Sequence, residues 1–137
     1  MAGTSEPQAT DNHILVVDDD PYTREAVMEG LQSRGYQVKG AADGLQALRH
    51  LQREPFNVVV TDIQMPRMDG VALLHKIRRK GYAAVVVQTT SVDPYVRDML
   101  RRAGASEVLA KSEPIASLAC VVDEICRKNR ESSPRTT

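Results

Sequence analysis

Short runs of apolar residues alternate with stretches of helical spacing along the middle of this chain. The apolar runs, which are rich in β-branched residues, predict strands at residues 13–18, 37–41, 57–61, 84–89 and 107–110. After each run, apolar residues recur every three or four positions, which predicts helices beginning near Pro21, Leu45, Gly70, Pro94 and Pro114. Five strand–helix pairs in alternation are typical of a parallel sheet built from βαβ units.

Turn and capping residues mark the ends of the predicted helices. Asp20 precedes Pro21 as a helix cap, and Gly35 ends the first helix. Apolar faces form on the second helix and on the fourth, and their members are Leu45, Leu48 and Leu51, and Val96, Met99, Leu100 and Ala103. We expect both faces to pack on the sheet.

Few layouts are available to five such pairs when crossovers are right-handed and loops are short. We expect an α/β fold, (βα)5, with a doubly wound sheet of five parallel strands in the order 2-1-3-4-5. In that order the first and third strands are neighbours, and a crevice opens where their carboxyl ends meet. The apolar run 14–17 leads into Asp18 and Asp19, and the run 58–61 leads into Asp62. These carboxylates should therefore lie at one crevice.

Length and composition limit the class of protein. At 137 residues the chain fits one domain, placed at residues 13–130, with Ser-, Thr- and Pro-rich segments 1–12 and 131–137 expected to be disordered tails. The 18 basic and 18 acidic residues cancel, so we expect neither nucleic acid nor a membrane as a partner. No leader and no apolar segment of about 18 residues is found, and a soluble, cytoplasmic protein is therefore expected.

The chemistry predicted at the crevice is that of a metal and phosphoryl site. Three carboxylates at one place repel one another unless a cation lies among them. His13, His50 and His75 fall in separate elements, so a zinc site is not indicated and a hard ion such as Mg²⁺ is favoured. Lys111 follows the apolar run 108–110 and adds a fixed cation that would offset phosphoryl charge.

Three motifs follow one another along the chain. They are Ile14-Leu-Val-Val-Asp-Asp-Asp20, Val60-Thr-Asp-Ile-Gln-Met-Pro-Arg-Met-Asp-Gly70, and a later set of Thr89, Ala103-Gly-Ala105 and Lys111. In residue type, order and spacing they resemble the receiver domain of two-component response regulators. The resemblance covers about residues 13–130 and implies a flavodoxin-like fold and a regulator of the single-domain type.

The resemblance implies a role for each carboxylate. Asp62 would be the phospho-acceptor, taking a phosphoryl group from a phosphohistidine on a sensor histidine kinase or a histidine phosphotransfer protein. Mg²⁺ would be held by Asp19, Asp62 and the backbone carbonyl of Gln64, with Asp18 acting through water.

It also implies how the signal leaves the site. Lys111 would supply the fixed cation, and Thr89 would donate its hydroxyl to the phosphoryl oxygens and move inward, shifting the region of the fourth helix. A downstream protein would read the surface of the fourth helix, fifth strand and fifth helix. Such a chain phosphorylates and dephosphorylates itself and is not a turnover enzyme on a separate substrate.

Three positions depart from the family pattern. Val108 stands where receivers often carry an aromatic switch residue, Ser112 where proline commonly follows the lysine, and Thr90 where a small residue is usual. The first two departures leave open a second hypothesis, a receiver-like adaptor that works without phosphorylation. A third, a Mg²⁺-dependent phosphohydrolase, would need a carboxylate two residues past its nucleophile, where Gln64 stands.

Overall fold

Five strands and five helices alternate in the part of the chain that the computed structural model describes, residues 12–65, 68–91 and 93–132. The elements are β1 (His13–Val17), α1 (Pro21–Gln32), β2 (Gln37–Ala41), α2 (Gly44–Arg53), β3 (Val58–Asp62), α3 (Gly70–Lys80), β4 (Ala84–Thr89), α4 (Pro94–Arg102), β5 (Glu107–Ala110) and α5 (Ile115–Ser132). The predicted alternation of strands and helices is confirmed.

The strands form one parallel sheet in the order β2-β1-β3-β4-β5. β1 lies between β2 and β3, and its last residue, Val17, is paired with Ala41 on one side and Thr61 on the other. Because all strands run the same way, the carboxyl ends of β1 and β3 lie side by side. The predicted strand order is confirmed, and with it the position of the crevice.

Helices cover both faces of the sheet because successive strand residues point to opposite sides. Leu15 and Val59 face a core that includes buried residues of α2, α3 and α4. Ile14 and Val58 face a second core that includes buried residues of α1 and α5. The inner strands β1, β3 and β4 are therefore apolar along most of their length, as burial on both faces requires, whereas the edge strand β2 carries the polar residues Gln37 and Lys39.

An aspartate caps the amino end of four helices. The side chains of Asp20, Asp43, Asp69 and Asp93 each accept a hydrogen bond from a backbone N–H in the first turn of α1, α2, α3 and α4. Each cap satisfies a donor that the helix leaves unpaired and places negative charge at the positive end of the helix dipole. The capping role predicted for Asp20 is confirmed.

Two predicted core positions are exposed instead. Leu45 of α2 is 40% exposed and Met99 of α4 is 45% exposed, so both predictions are wrong. In α2 the buried line runs through Ala47 and Leu51, and Leu45 lies about 200° around the helix from Ala47. In α4 the buried residue is Leu100, and its neighbour Met99 is turned from it by about 100°.

Some element ends differ from the prediction. β1 ends at Val17, so Asp18 is the first residue beyond it, and β3 extends to Asp62. α5 continues to Ser132, past the boundary predicted at residue 130, while residues 1–11 and 133–137 of the predicted tails lie outside the described residues. Within the described part of the chain, none of the helices combines the length and apolar character that crossing a bilayer requires.

Candidate functional site

The carboxylate of Asp62 stands at the end of the central strand β3. Its Oδ1 accepts a hydrogen bond of 2.7 Å from the backbone N–H of Ile63. Its Oδ2 lies 3.2 Å from Nζ of Lys111, and the side chain is 14% exposed. Both oxygens are thus held in place while part of the carboxylate remains open to solvent.

Two further carboxylates follow β1. Asp18 is buried, and its Oδ1 accepts a hydrogen bond of 2.9 Å from the N–H of Asp20, whereas Asp19 is exposed. One ligand oxygen from each of Asp18, Asp19 and Asp62 lies within 4.8 Å of the others. The placement of β1 beside β3 therefore brings together the three carboxylates that the sequence singles out.

Lys111 places an ammonium group among these carboxylates. Its Nζ donates to Asp18 Oδ2 at 2.9 Å and also lies close to Asp62. Burial disfavours the charged lysine, but the hydrogen bonds and charges of Asp18 and Asp62 outweigh it and raise the pKa of Lys111 above its usual value. The lysine is therefore charged at neutral pH and offsets part of the negative charge of the site.

Thr89 and Gln64 border the same cleft, which has a volume of about 540 Å³. Thr89, the last residue of β4, is buried, and its carbonyl accepts the backbone N–H of Lys111 at 2.8 Å. Gln64 is exposed, two residues after Asp62. The other residues that line the cleft are Asp19, Asp62, Ile63, Thr90, Ser91, Val96 and Lys111.

Gly70 lies directly against the backbone of Asp62 and Ile63. Its N–H donates to the carbonyl of Ile63 at 2.6 Å, and a Cβ here would lie 2.1 Å from the carbonyl oxygen of Asp62. No side chain fits at that distance. Sequence reasoning treated Gly70 as a helix start and missed this role, because the close approach of two backbone segments leaves no mark on hydrophobic periodicity.

Arg24 is a second residue that sequence reasoning missed. It lies on α1, and its Nη1 donates to the carbonyl oxygen of Asp18 at 2.7 Å. This bond ties the first helix to the loop that carries the acidic pair. A single arginine on a helix gives no sequence signal for such a contact.

The donor set of the cleft fits a hard divalent cation. All three candidate ligands are carboxylates, and no histidine or cysteine joins the group among the residues that the structure describes. Oxygen-only sets suit Mg²⁺, whereas zinc sites are usually built from nitrogen and sulfur ligands. The residues present therefore match the ion that the sequence favours.

Comparison with known families decides what kind of domain this is. The family model for the response regulator receiver domain matches residues 14–123, from β1 into α5. The chain belongs to the response regulator receiver family. The resemblance inferred from the three motifs is confirmed, and the chain is a receiver domain of the two-component signalling type.

The receiver domain is similar in sequence to several signalling proteins. It is 43% identical over 81 residues to the sensor histidine kinase RcsC of Salmonella typhimurium. The aligned residues make up 59% of this chain and 8% of the kinase. It is 28% identical over 116 residues to the probable chemotaxis protein CheY of Rhizobium etli. The aligned residues make up 82% of this chain and 90% of that protein. The chain thus spans a small fraction of the kinases it matches and most of CheY.

Solved structures show the same fold. The chemotaxis response regulator CheY4 of Vibrio cholerae superposes with a TM-score of 0.78 at 29% identity, over 85% of this chain and 99% of that one. The Francisella response regulator 1452 receiver domain superposes with a TM-score of 0.83 at 24% identity, over 86% of this chain and 98% of that one. The flavodoxin-like, CheY-like fold is therefore confirmed.

Val108 gives this receiver domain a small side chain beneath α4. It is 1% exposed and packs in the same core as Leu100 of α4. A valine reaches less far than an aromatic ring, so no large side chain at this position links α4 to Thr89. The peptide bond between Lys111 and Ser112 is trans, as is usual for a bond that no proline follows.

Proposed function

We propose that this receiver domain accepts a phosphoryl group on Asp62 and signals through the surface formed by α4, β5 and α5. The supporting observation is the Asp62 carboxylate at a strand end, with the Lys111 ammonium 3.2 Å away and two further carboxylates within 4.8 Å. An anionic nucleophile approaches an anionic phosphoryl group readily only where positive charge offsets their repulsion. The cleft provides a fixed positive charge at the nucleophile itself.

The transfer exchanges one bond to phosphorus for another. A carboxylate oxygen of Asp62 forms a P–O bond while the P–N bond to the donor histidine breaks, and the imidazole nitrogen keeps the electron pair. Lys111 donates to an oxygen of the transferring group, and the hydroxyl of Thr89, which borders the cleft, donates to another. The product is an acyl phosphate on Asp62.

The acidic residues have a separate role in this proposal. Asp19, Asp62 and the backbone carbonyl of Gln64 would hold Mg²⁺, and Asp18 would contribute through water. When bound, the ion supplies positive charge that neutralises the phosphoryl oxygens. Asp18 also keeps Lys111 in position, because its Oδ2 accepts the lysine ammonium at 2.9 Å.

The proposed donor is a phosphohistidine on a sensor histidine kinase or on a histidine phosphotransfer protein. The likeness to RcsC supports a kinase of this kind as a partner. The transcriptional activator protein PfeR of Pseudomonas aeruginosa, 32% identical over 117 residues that cover 85% of this chain and 38% of that protein, supports a regulatory role. The chain then acts as a signal transducer on its own aspartate and not as a turnover enzyme.

A downstream protein is proposed to bind the α4–β5–α5 surface. α4 carries two large exposed apolar side chains, Tyr95 at 75% and Met99 at 45%, and its Arg101 meets β5 through an ion pair with Glu107. Aromatic residues and methionine are enriched where proteins contact one another. A shift of α4 after phosphorylation would rearrange both side chains and so change the affinity for the partner.

Intact mass spectrometry tests the acceptor directly. The wild-type chain and Asp62→Asn are incubated with Mg²⁺ and acetyl phosphate. We expect the wild type to gain one phosphoryl group, and the variant to gain none because the nucleophilic oxygen is lost. Addition of a chelator should prevent the gain in the wild type.

Asp69→Asn is the matched control. Asp69 caps α3 outside the acidic cluster, and asparagine caps a helix about as well as aspartate. This variant should therefore gain the phosphoryl group. A folded wild type that neither gains mass with several small donors nor binds Mg²⁺ would favour the phosphorylation-independent adaptor, and turnover of a generic phosphomonoester would favour the phosphohydrolase.

A further inference from the structure

Three hydrogen bonds lead in sequence from the acceptor cleft to α4. The backbone N–H of Ser91 donates to Oγ1 of Thr89 at 3.0 Å. The N–H of Asp93 donates to Oγ of Ser91 at 3.2 Å. The N–H of Tyr95 donates to Oδ1 of Asp93 at 3.0 Å. We call this series the Thr89–Ser91–Asp93 relay; it runs from the end of β4 to the cap of α4.

The first bond of the relay orients the hydroxyl of Thr89. Because its oxygen accepts the N–H of Ser91, its proton remains free to donate in another direction. Thr89 is 5% exposed and borders the cleft that contains Asp62. The hydroxyl of Thr89 is thus available to donate a hydrogen bond to phosphoryl oxygens in the cleft.

α4 lies at the other end of the relay. Of the five helices, it is held least firmly by buried side chains. Leu100 is its one buried residue, whereas α3 buries four. Among the described residues, the Nε of Arg97 on α4 is the buried side-chain polar atom without a hydrogen-bond partner. Few buried contacts and an unsatisfied donor both lower the cost of moving an element.

The relay also connects Thr89 to α4, a connection that no large core side chain provides. Val108 is too short to act as a large switching side chain between Thr89 and α4. Val96, in the first turn of α4, already borders the cleft. A small displacement at the end of β4 can therefore reach α4 through the three hydrogen bonds of the relay.

We infer that Ser91 is a positioning residue that couples Thr89 to α4 through the Thr89–Ser91–Asp93 relay. The inference rests on the proposed function, because it concerns the regulation of the same cleft. When a phosphoryl oxygen attracts the hydroxyl of Thr89, Ser91 follows through its N–H. Asp93 follows through the Oγ of Ser91, and the amino end of α4 shifts with its cap.

Substitution of Ser91 divides the relay at its middle. Ser91→Ala removes the Oγ that accepts the Asp93 N–H but keeps the backbone N–H that reaches Thr89. Ser91→Thr keeps a hydroxyl and serves as the rescue variant. Ser33→Ala is the matched control, since its hydroxyl bonds to the carbonyl of Gly30 at the far end of α1.

The four chains are compared with Mg²⁺ and an excess of acetyl phosphate. Intact mass reports phosphorylation, and amide hydrogen exchange at Tyr95 and Val96 reports the first turn of α4. We expect every chain to take up a phosphoryl group. Exchange at α4 should change severalfold on phosphorylation in the wild type, Ser91→Thr and Ser33→Ala, and most of that change should be lost in Ser91→Ala.

The outcomes separate the inference from the function on which it rests. A change at α4 of wild-type size in phosphorylated Ser91→Ala would overturn the relay and leave the acceptor role intact. A wild type that gains no mass would overturn both. Without phosphodonor, Ser91→Ala should exchange its Asp93 amide faster than the wild type and Ser91→Thr should not, and equal rates in all three would also overturn the relay.

Discussion

At the scale of single residues, the charge balance of the cleft depends on Lys111. Its ammonium contacts both Asp18 and Asp62. We predict that Lys111→Met lowers the free energy of unfolding of the Mg²⁺-free protein by about 1–3 kcal/mol, because two largely buried carboxylates lose their counter-ion. Urea unfolding in the presence of a chelator measures this loss.

The pH dependence of that loss has a defined sign. Because the pKa of Lys111 is raised in the folded state, its contribution is complete below the ordinary lysine pKa of about 10.4 and is lost as the pH rises through the higher folded value. Lys39→Met is the control, since Lys39 pairs with Glu54 at the exposed surface and should cost less than about 1 kcal/mol. Equal losses in the two variants would argue against the special role of Lys111.

The residues of the cleft differ in how well their roles could be predicted from the sequence. Asp62 and Lys111 could be predicted because each ends an apolar run and the order of strands then sets their neighbours. Gly70 and Arg24 could not, because their roles depend on two segments meeting in space. The Thr89–Ser91–Asp93 relay is local in sequence, yet polar residues two apart also occur in ordinary turns, so the pattern alone does not reveal it.

At the scale of elements, α4 differs from the other helices in how little it buries. The Nε of Arg97 is buried without a partner. We predict that Arg97→Met raises the free energy of unfolding by about 0.5–1 kcal/mol, because it keeps a long apolar stem and removes a donor whose burial costs about 1–3 kcal/mol. Thermal and urea unfolding of the variant and the wild type check this.

Arg101→Met on the same helix is the comparison for this prediction. Arg101 pairs with Glu107 at 3.1 Å at an exposed site, so its loss should change stability by less than about 0.5 kcal/mol. If Arg97→Met proved less stable than both the wild type and Arg101→Met, the guanidinium of Arg97 would be contributing more than its buried Nε costs. The buried Nε of Arg97 would then no longer be evidence that α4 is loosely held.

Strands and helices were predicted with different success for a physical reason. A strand buried on both faces is a continuous apolar run, which is hard to mistake. A short helix allows several apolar lines: Leu48 and Leu51 of the predicted face do pack in the core, whereas Leu45 does not. The small side chain of Ala47 marks the true buried line, and pattern reading that weighs large residues passes over it.

At the scale of the whole molecule, opposite charges collect at opposite ends although the net charge is zero. Aspartates cap four helices at the end that holds the cleft. Basic residues occupy the last turns of α3 and α4 at the other end, and they are Arg78, Arg79, Lys80, Arg101 and Arg102. Net charge alone therefore understates the field that a cation meets at the cleft.

This arrangement predicts that Mg²⁺ stabilises the whole fold. The acidic cluster joins residues that follow β1 to the end of β3, so it exists only in the folded chain. A ligand that binds the folded state alone raises the free energy of unfolding by about 2.7 kcal/mol at 100 times its dissociation constant. The melting temperature should rise steadily with Mg²⁺ at constant ionic strength.

Two neighbouring substitutions distinguish binding in the cleft from a diffuse effect of the acidic end. Asp19→Asn removes a carboxylate of the cluster and should abolish most of the Mg²⁺-dependent rise in melting temperature. Asp20→Asn removes the same charge one residue away but keeps a good helix cap, so the rise should persist. If both variants lost the rise equally, or if NaCl of the same ionic strength reproduced it, then the cation would be responding to the general field of this end and not to the three carboxylates.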